Sequence, residues 1–242
     1  MTPDPIIILI TTVAAFIQGS SGFGFALVAM PVLSGLTSIY IAVPLVALGT
    51  LTSNTLLSLY YRQSCNFKIV GQLLLGAVFG IPLGFLALQY APVNWMLITL
   101  GLMIVAYAIY ALVGPTVPIL KSKAWVYSAG FVAGILMGGY NLPGPPVILY
   151  GNSQRWLQAE FKGNLSRFFW VNASLAVLIH GLQHRLSAEI IYQFLITLPG
   201  LVMGLFLGVA LAKSLNPTFF RRGVLGLLIV VGIRLILLGI QS

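Results

Sequence analysis

Long apolar segments joined by short polar ones restrict the fold of this chain more than any other feature. An α-helix needs about 20 apolar residues to cross the hydrocarbon core of a bilayer. Six unbroken segments approach or exceed that length and are predicted to be transmembrane helices: 39–60, 69–90, 95–113, 168–182, 190–212 and 224–240. Only 6% of the residues are charged, against about 25% in a soluble domain. The chain is therefore predicted to be an all-α, polytopic membrane protein.

Charge and residue usage exclude several classes of protein. The net charge of +9 is scattered through short connections, without the basic stripe expected of a nucleic-acid-binding protein. The single Cys65 excludes an intrachain disulfide and a metal site with several cysteine ligands. No carboxylate lies deep in a predicted span, which argues against a buried sodium site or proton relay. No catalytic constellation is visible, so we expect no enzymatic activity, no cofactor and no metal.

Two further apolar segments differ from the six because small and polar residues interrupt them. The first interruption is residues 19–24, Gly-Ser-Ser-Gly-Phe-Gly, and the second is residues 138–146, Gly-Gly-Tyr-Asn-Leu-Pro-Gly-Pro-Pro. Each leaves apolar arms that are too short to cross a bilayer alone. Backbone groups cannot stay unpaired in hydrocarbon, so a break at this depth must be buried in protein or line a wet cavity.

The order of an interrupted segment followed by three spans occurs twice, which indicates an internal duplication. A gapless alignment of the two interrupted segments sets Gly24 against Gly139, and further along Asn54 falls near Asn172. We therefore predict two repeats within one transmembrane domain, residues 1–118 and residues 119–242.

Two membrane topologies fit this pattern. If each interrupted segment crosses the bilayer, the chain has eight spans in two parallel four-helix repeats, and the loop cations divide five against six. If each is a re-entrant hairpin, the repeats are inverted, and ten of eleven loop cations share one face while Arg185 lies on the other. Because cytoplasmic loops carry an excess of Lys and Arg, we prefer two inverted repeats, each a broken helical hairpin plus three transmembrane helices. The ten cations on the shared face are Arg62, Lys68, Lys121, Lys123, Arg155, Lys162, Arg167, Lys213, Arg221 and Arg222.

The paired breaks are the predicted substrate site. Helix N-termini that point into a cavity offer unpaired N–H groups and a positive partial charge, which suit a small oxyanion. Broken helices of inverted repeats are a recurring place for transporter sites. The candidate substrate-binding residues are Gly19, Ser20, Ser21, Gly22, Gly24, Asn54, Gly139, Tyr140, Asn141, Gly144, Lys162, Asn164 and Asn172.

Some of these residues have an alternative role that the sequence leaves open. Asn54 and Asn172 suit hydrogen bonding between helices as well as substrate contact. Lys162 lies where a predicted span enters the membrane, so it can attract an anion or contact lipid headgroups. A single glycine is more often explained by close helix packing, and only the pairing of two glycine-rich breaks favours a site.

At the two breaks the chain resembles the sulfite exporter TauE/SafE family of bacterial membrane transporters. The matching stretches are residues 18–24, Gln-Gly-Ser-Ser-Gly-Phe-Gly, with Pro31, and residues 138–150, which contain the second break. Residues 161–169 resemble the family's segment after the second break, although Lys162 stands where the family often has Arg. The resemblance implies transport of sulfite or small organic sulfonates such as sulfoacetate across the bacterial inner membrane, often outward.

These observations lead to three hypotheses for function. The first is a secondary transporter, with export as the expected direction, that moves a small sulfur-containing oxyanion by alternating access at the paired breaks. The alternative is a passive anion channel, and the third is a structural or insertase-like membrane subunit. The expected partners are a small anion and membrane lipids, with no nucleic acid, and a homodimer is left open.

Overall fold

The computed structural model describes residues 5–114, 118–120, 122–212 and 217–241. These residues form ten α-helices and one 3-10 helix at Arg62–Ser64, and the described part of the chain contains no β-strand. In chain order the α-helices are α1 (Pro5–Ser21), α2 (Phe25–Leu36), α3 (Ile39–Tyr60), α4 (Phe67–Tyr90), α5 (Val93–Val113), α6 (Ala124–Tyr140), α7 (Gly144–Ser153), α8 (Gln158–Leu182), α9 (Ala188–Leu211) and α10 (Pro217–Gln241).

Six of these helices are long and apolar enough to cross a membrane: α3, α4, α5, α8, α9 and, over Arg222–Gln241, α10. The apolar helices α1, α2 and α6 are shorter. The prediction of an all-α polytopic membrane protein is confirmed.

The start of α8 corrects one predicted boundary. The span expected at 168–182 begins at Gln158, so Lys162, Asn164 and Arg167 lie within a helix and not in a polar loop. Lys162 and Asn164 are buried, and their hydrogen bonds are made to other parts of the protein. Polar side chains turned inward lower the apparent hydropathy of a helix without preventing it from crossing the membrane.

Both predicted interruptions are present, but each is shorter than expected: residues 22–24 separate α1 from α2, and residues 141–143 separate α6 from α7. The first residue of each break has a positive φ, 87° at Gly22 and 56° at Asn141. A left-handed residue at this position ends a helix, and glycine and asparagine adopt it most readily. The N–H groups of Asn141 and Leu142 close the end of α6 on carbonyl groups of its last turn, at 2.9 and 3.1 Å.

The two breaks are equivalent in a register that differs from the gapless alignment. Gly22 and Asn141 occupy the same place, directly after the last helical residue, whereas the sequence comparison set Gly24 against Gly139. That alignment is shifted by four residues, which is about one helical turn. The gapless alignment still pairs glycines because glycine recurs at helical spacing in both segments.

Close glycine contacts show the relative directions of the helices. Three glycines of α4 face successive turns of α6 in the same order along both helices: Gly76 faces Tyr127, Gly80 faces Phe131 and Gly84 faces Ile135. In the same way, along α9, Gly200 and Gly204 face Thr12 of α1, and Gly208 faces Phe16. Each broken segment of one half therefore lies parallel to a long helix of the other half.

The last helices of the two halves run in opposite directions. Gly239, near the end of α10, faces Asn94 at the start of α5, and Gly232 faces Val105 further along α5. Helices α3 and α8 also run in opposite directions, because Gly163 near the start of α8 lies against Ser64, just after the end of α3. Both pairs are antiparallel.

Each broken segment doubles back on itself. The Gln154 side chain, directly after α7, donates a hydrogen bond at 2.9 Å to the carbonyl oxygen of Leu120, shortly before α6 begins. Near the end of α2, Gly35 faces Leu235 in the last turns of α10, at the end of the bundle where α1 begins. Neither broken segment runs from one end of the bundle to the other.

The two ends of the bundle differ in charge. One end, which we call the cation-rich end, holds the connections α3–α4, α5–α6, α7–α8 and α9–α10. Described cations in or beside these connections are Arg62, Lys68, Lys123, Arg155 and Arg222. Arg185, between α8 and α9, lies at the opposite end. Lys121, Lys213 and the side chain of Arg221, which were expected on the same face, lie outside the described residues.

We expect Gly80→Ala to destabilise the protein. A Cβ atom at Gly80 would overlap the carbonyl oxygen of Phe131, and forcing extra volume into a packed contact costs about 1–3 kcal/mol. The measurement is the thermal unfolding midpoint of the purified protein in detergent. Gly71→Ala is the matched control, since a Cβ at Gly71 on the same helix meets nothing within 4 Å. Equal midpoints for the two variants would contradict the close contact.

Candidate functional site

The two breaks meet at a small cavity inside the bundle. The cavity has a volume of about 20 Å³, which is room for about one water molecule. Its walls come from both halves of the chain and include three of the predicted site residues, Gly24, Asn54 and Gly144. The remaining lining residues are Gln18, Phe23, Ala26, Leu27, Thr50, Leu142, Pro143 and Phe169. The structure therefore brings the first break, the second break and α3 together at one place.

Gln18 is the central polar residue of this cavity, and it was not among the predicted site residues. Its Oε1 accepts a hydrogen bond from the backbone N–H of Phe25 at 3.0 Å, and its Nε2 donates to Asn54 Oδ1 at 2.9 Å. Asn54 in turn donates from Nδ2 to the carbonyl oxygen of Thr50 at 2.8 Å. One buried side chain thus connects the end of α1, the start of α2 and the middle of α3.

The starts of α2 and α7 differ in what they can offer an anion. The first N–H groups of a helix have no carbonyl partner within it. At α2, Gln18 takes the Phe25 N–H, which leaves the N–H groups of Ala26 and Leu27 beside the cavity. At α7, two prolines follow Gly144 and supply no N–H groups. The positive end of α2 is therefore the stronger donor group of the two.

Several fully buried polar atoms near the breaks have no hydrogen-bond partner. They include Thr50 Oγ1, both amide atoms of Asn141 and Asn172 Oδ1. Asn141 and Asn172 are 0% exposed and Thr50 is 3% exposed. Buried polar groups in folded proteins are nearly always paired, so the unpaired Thr50 hydroxyl, which lines the cavity, indicates a place for a polar ligand or water. Asn141 and Asn172 do not line the cavity.

Lys162 lies close to the first break, although it lines neither this cavity nor the larger one described below. The side chain is 5% exposed, and its Nζ donates to the carbonyl oxygen of Ser20 at 3.0 Å. The ammonium group also lies 5.6 Å from the ring centre of Tyr61. The stem of Lys162 fills the space where a Cβ at Gly22 would be. Lys162 thus caps the carbonyl end of α1, where a positive charge is favourable.

The other predicted site residues do not line the small cavity and instead contact other parts of the bundle. Gly19 faces the backbone of α9, and Gly139 faces Gly84 of α4. The Tyr140 hydroxyl shares a hydrogen bond with the Thr99 hydroxyl. The remaining two, both on α8, bond through their side chains to backbone groups: Asn164 Oδ1 accepts from Asn66 N at 2.7 Å, and Asn172 Nδ2 donates to Phe168 O at 2.8 Å.

A second, larger cavity of about 320 Å³ lies on the other side of the first break. We call it the vestibule. Ser20, Ser21 and Gly24 line it from the first break. Its other walls are the ends of α5, α7 and α9 and the starts of α8 and α10, all of which lie at the cation-rich end. Phe23, Gly24 and Leu27 line both the vestibule and the small cavity.

Cys65, in the connection between α3 and α4, behaves as a passive thiol. It is partly buried, and burial raises the pKa of the thiol above its usual value, although the nearby Arg167 guanidinium acts in the opposite direction. A raised pKa keeps the thiol protonated at neutral pH, where it is a poor nucleophile.

Eight lining residues were not among the predicted site residues, and the polar and aromatic ones are Gln18, Thr50, Phe23 and Phe169. Gln18 directly precedes the first predicted break and is a polar side chain in an apolar helix, and both features could have indicated a site residue. Thr50 and Phe169 carry no such signal, because a threonine or phenylalanine within a predicted span is ordinary.

Comparison with known proteins agrees with the resemblance at the breaks. The model of the family described as "Sulfite exporter TauE/SafE" matches residues 7–235. The chain is 26% identical over 233 residues to a protein of Cupriavidus necator named "Probable sulfite/organosulfonate exporter TauE", and the match covers 94% of this chain and 91% of that protein. No solved structure matches the chain significantly. Because the family model matches nearly the whole chain, this protein belongs to the sulfite exporter TauE/SafE family, a family of membrane exporters and not of enzymes.

Proposed function

We propose that this protein is a secondary transporter that exports a small sulfur-containing oxyanion, sulfite or an organic sulfonate, by alternating access. The observation that carries the proposal is the polar cavity where the two breaks meet. The family and the name of the Cupriavidus relative support the class of substrate. None of the described residues that line the cavity is charged, so the anion would be held by N–H, hydroxyl and amide donors.

The size of the cavity favours a carrier over a passive anion channel. A volume of about 20 Å³ holds about one water molecule, which is less than an oxyanion of four or more heavy atoms occupies. The walls must therefore move before an anion can enter. Alternating access involves movement of one repeat against the other around a fixed site, whereas a channel requires a continuous pore.

The helix directions support two inverted repeats, which we place at residues 1–118 and 119–242. In the proposed arrangement α5 corresponds to α10 and α3 to α8, and both pairs are antiparallel, as the contacts of Gly239 and Gly163 require. With eight spans in parallel repeats, these same pairs would be parallel. The doubled-back segments α1–α2 and α6–α7 are then re-entrant hairpins that meet from opposite sides.

We place the protein in the bacterial inner membrane with the cation-rich end in the cytoplasm. Lys and Arg are enriched in cytoplasmic loops, and the described loop cations other than Arg185 lie at this end or beside it. The vestibule is lined by helix ends at the same end, so an exported anion would enter through it.

A binding screen followed by a flux assay tests the function. We expect sulfite or sulfoacetate to raise the thermal unfolding midpoint of the purified protein, since a ligand at 100 times its Kd stabilises by about 2.7 kcal/mol. Taurine, thiosulfate and sulfate complete the screen. In liposomes we expect saturable flux that is stimulated by substrate on the opposite side. An ohmic current would favour the channel, and no shift with any of the five compounds would contradict the class of substrate.

We expect Thr50→Val to weaken anion binding without destabilising the protein. The substitution removes a buried hydroxyl that has no partner, and a hydrogen bond to a charged group contributes about 1.5–3 kcal/mol. Affinity should therefore fall about tenfold or more, as measured by titration of the thermal shift. Thr52→Val is the matched control, because the Thr52 hydroxyl on the same helix bonds to the Leu48 carbonyl at 3.0 Å. An equal effect of both variants would remove Thr50 from the site.

Single cysteines test the topology. In a Cys65→Ser background we expect Ser38→Cys and Gln183→Cys to react with a membrane-impermeant maleimide added to intact cells, and Gln63→Cys to stay unlabelled. All three positions are exposed in connections between helices. Inverted repeats place Ser38 and Gln183 on the same side, whereas eight spans place them on opposite sides. Labelling of only one of these two positions would therefore support the eight-span arrangement.

A further inference from the structure

Phe23 lines both the small cavity and the vestibule. It is one of three residues, with Gly24 and Leu27, that line both spaces. On one side of it lie Gln18, Thr50 and Asn54 in the cavity of about 20 Å³. On the other side lies the vestibule of about 320 Å³, at the cation-rich end. The phenylalanine ring is the largest of the three shared side chains.

The backbone on both sides of Phe23 has a conformation that favours glycine. Gly22 has φ 87° and Gly24 has φ 115°, and a left-handed φ is easily adopted by glycine and rarely by other residues. Phe23 is thus a bulky side chain between two residues with few steric restrictions. Rotation at the two glycines can move the ring without breaking a helix, because all three residues lie between the end of α1 and the start of α2.

Phe23 is partly buried and packs against the hydrophobic core, and its own hydrogen bonds and ring contact are local or edge-on. The Ser21 hydroxyl bonds to the Phe23 carbonyl oxygen and accepts a weak hydrogen bond from the Phe23 N–H at 3.4 Å. The ring packs edge-on against Phe161, with ring centres 6.1 Å apart, and Phe161 packs against Trp156 at 6.3 Å. Phe161 lies near the start of α8 and Trp156 just before it. The ring therefore rests on the second half of the chain through a contact that sliding or rotation can release.

The residues beside the break are held more firmly than Phe23. Lys162 fixes the Ser20 carbonyl at the end of α1, and Gln18 fixes the Phe25 N–H at the start of α2. Movement is thereby confined to the four residues between these two attachments, residues 21–24. We propose that Phe23 is the gate between the anion site and the vestibule at the cation-rich end. This inference rests on the proposed function, since it assigns the small cavity to the anion.

The test measures access to the small cavity directly. Thr50→Cys in a Cys65→Ser background places a thiol in the cavity wall, where Thr50 is 3% exposed. The reagent is 2-sulfonatoethyl methanethiosulfonate, a small anion, applied to protein in lipid nanodiscs. We expect Phe23→Ala to raise the rate of modification at least tenfold. Phe23→Trp should lower it, and Phe23→Leu should give an intermediate rate.

Phe169→Leu is the matched control, since Phe169 lines the small cavity but not the vestibule. We expect it to leave the rate within about threefold of the parent. If Phe23→Ala does not fold, the test is whether the modification rate is lowest in Phe23→Trp, higher in the parent and highest in Phe23→Leu. An unchanged modification rate in the Phe23 variants, or an equal rise in Phe169→Leu, would contradict the proposal that Phe23 is the gate.

A second measurement separates failure of the gate from failure of the proposed function. The modification rate involves no substrate, so the gate can be confirmed or rejected even if none of the sulfur anions binds. Where sulfite or sulfoacetate does bind, we expect Phe23→Ala to allow flux without substrate on the opposite side. Unchanged exchange in Phe23→Ala would count against the gate alone.

Discussion

The hydrogen bond between the Phe25 N–H and the Gln18 side chain is the interaction on which the geometry of the first break depends. Burying an amide group without a partner costs roughly 2–7 kcal/mol, and lipid offers no partner. Gln18 satisfies the first N–H of α2 at 3.0 Å while it also holds Asn54. The same side chain therefore makes the break tolerable at this depth and places polar atoms around a cavity.

Glycine contacts complete this arrangement by bringing the halves close together. Between helices in lipid, packing contributes more than hydrophobic burial does. The glycines of α4 and α9 let the broken segments α6 and α1 approach backbone to backbone. Each hairpin is thus supported by a long helix of the other half. The two breaks face each other because both hairpins are held from outside their own half.

Much of the fold could be predicted from the sequence, whereas much of the site could not. Six spans and two breaks follow from hydropathy and from glycine, serine and proline in apolar segments. The roles of individual glycines do not follow, because Gly19 and Gly24 look alike in sequence while one faces α9 and the other lines the cavity. The hydrogen bond from Gln18 joins residues 36 positions apart, and no local pattern indicates it. The start of α8 could not be predicted because Lys162 and Asn164 face inward, and a polar stretch of sequence looks the same whether it is a loop or the buried face of a helix.

The pairing of α1 with α9 has a consequence for how the chain enters the membrane. Synthesis completes α1 at Ser21, but its packing partner ends only at Leu211. At about 5–20 residues per second, the first hairpin waits on the order of 10 to 40 seconds for that partner. During this interval the polar break at residues 22–24 lacks the protein surroundings of the finished bundle. We therefore expect the nascent hairpin to be sheltered by insertion machinery until α9 emerges.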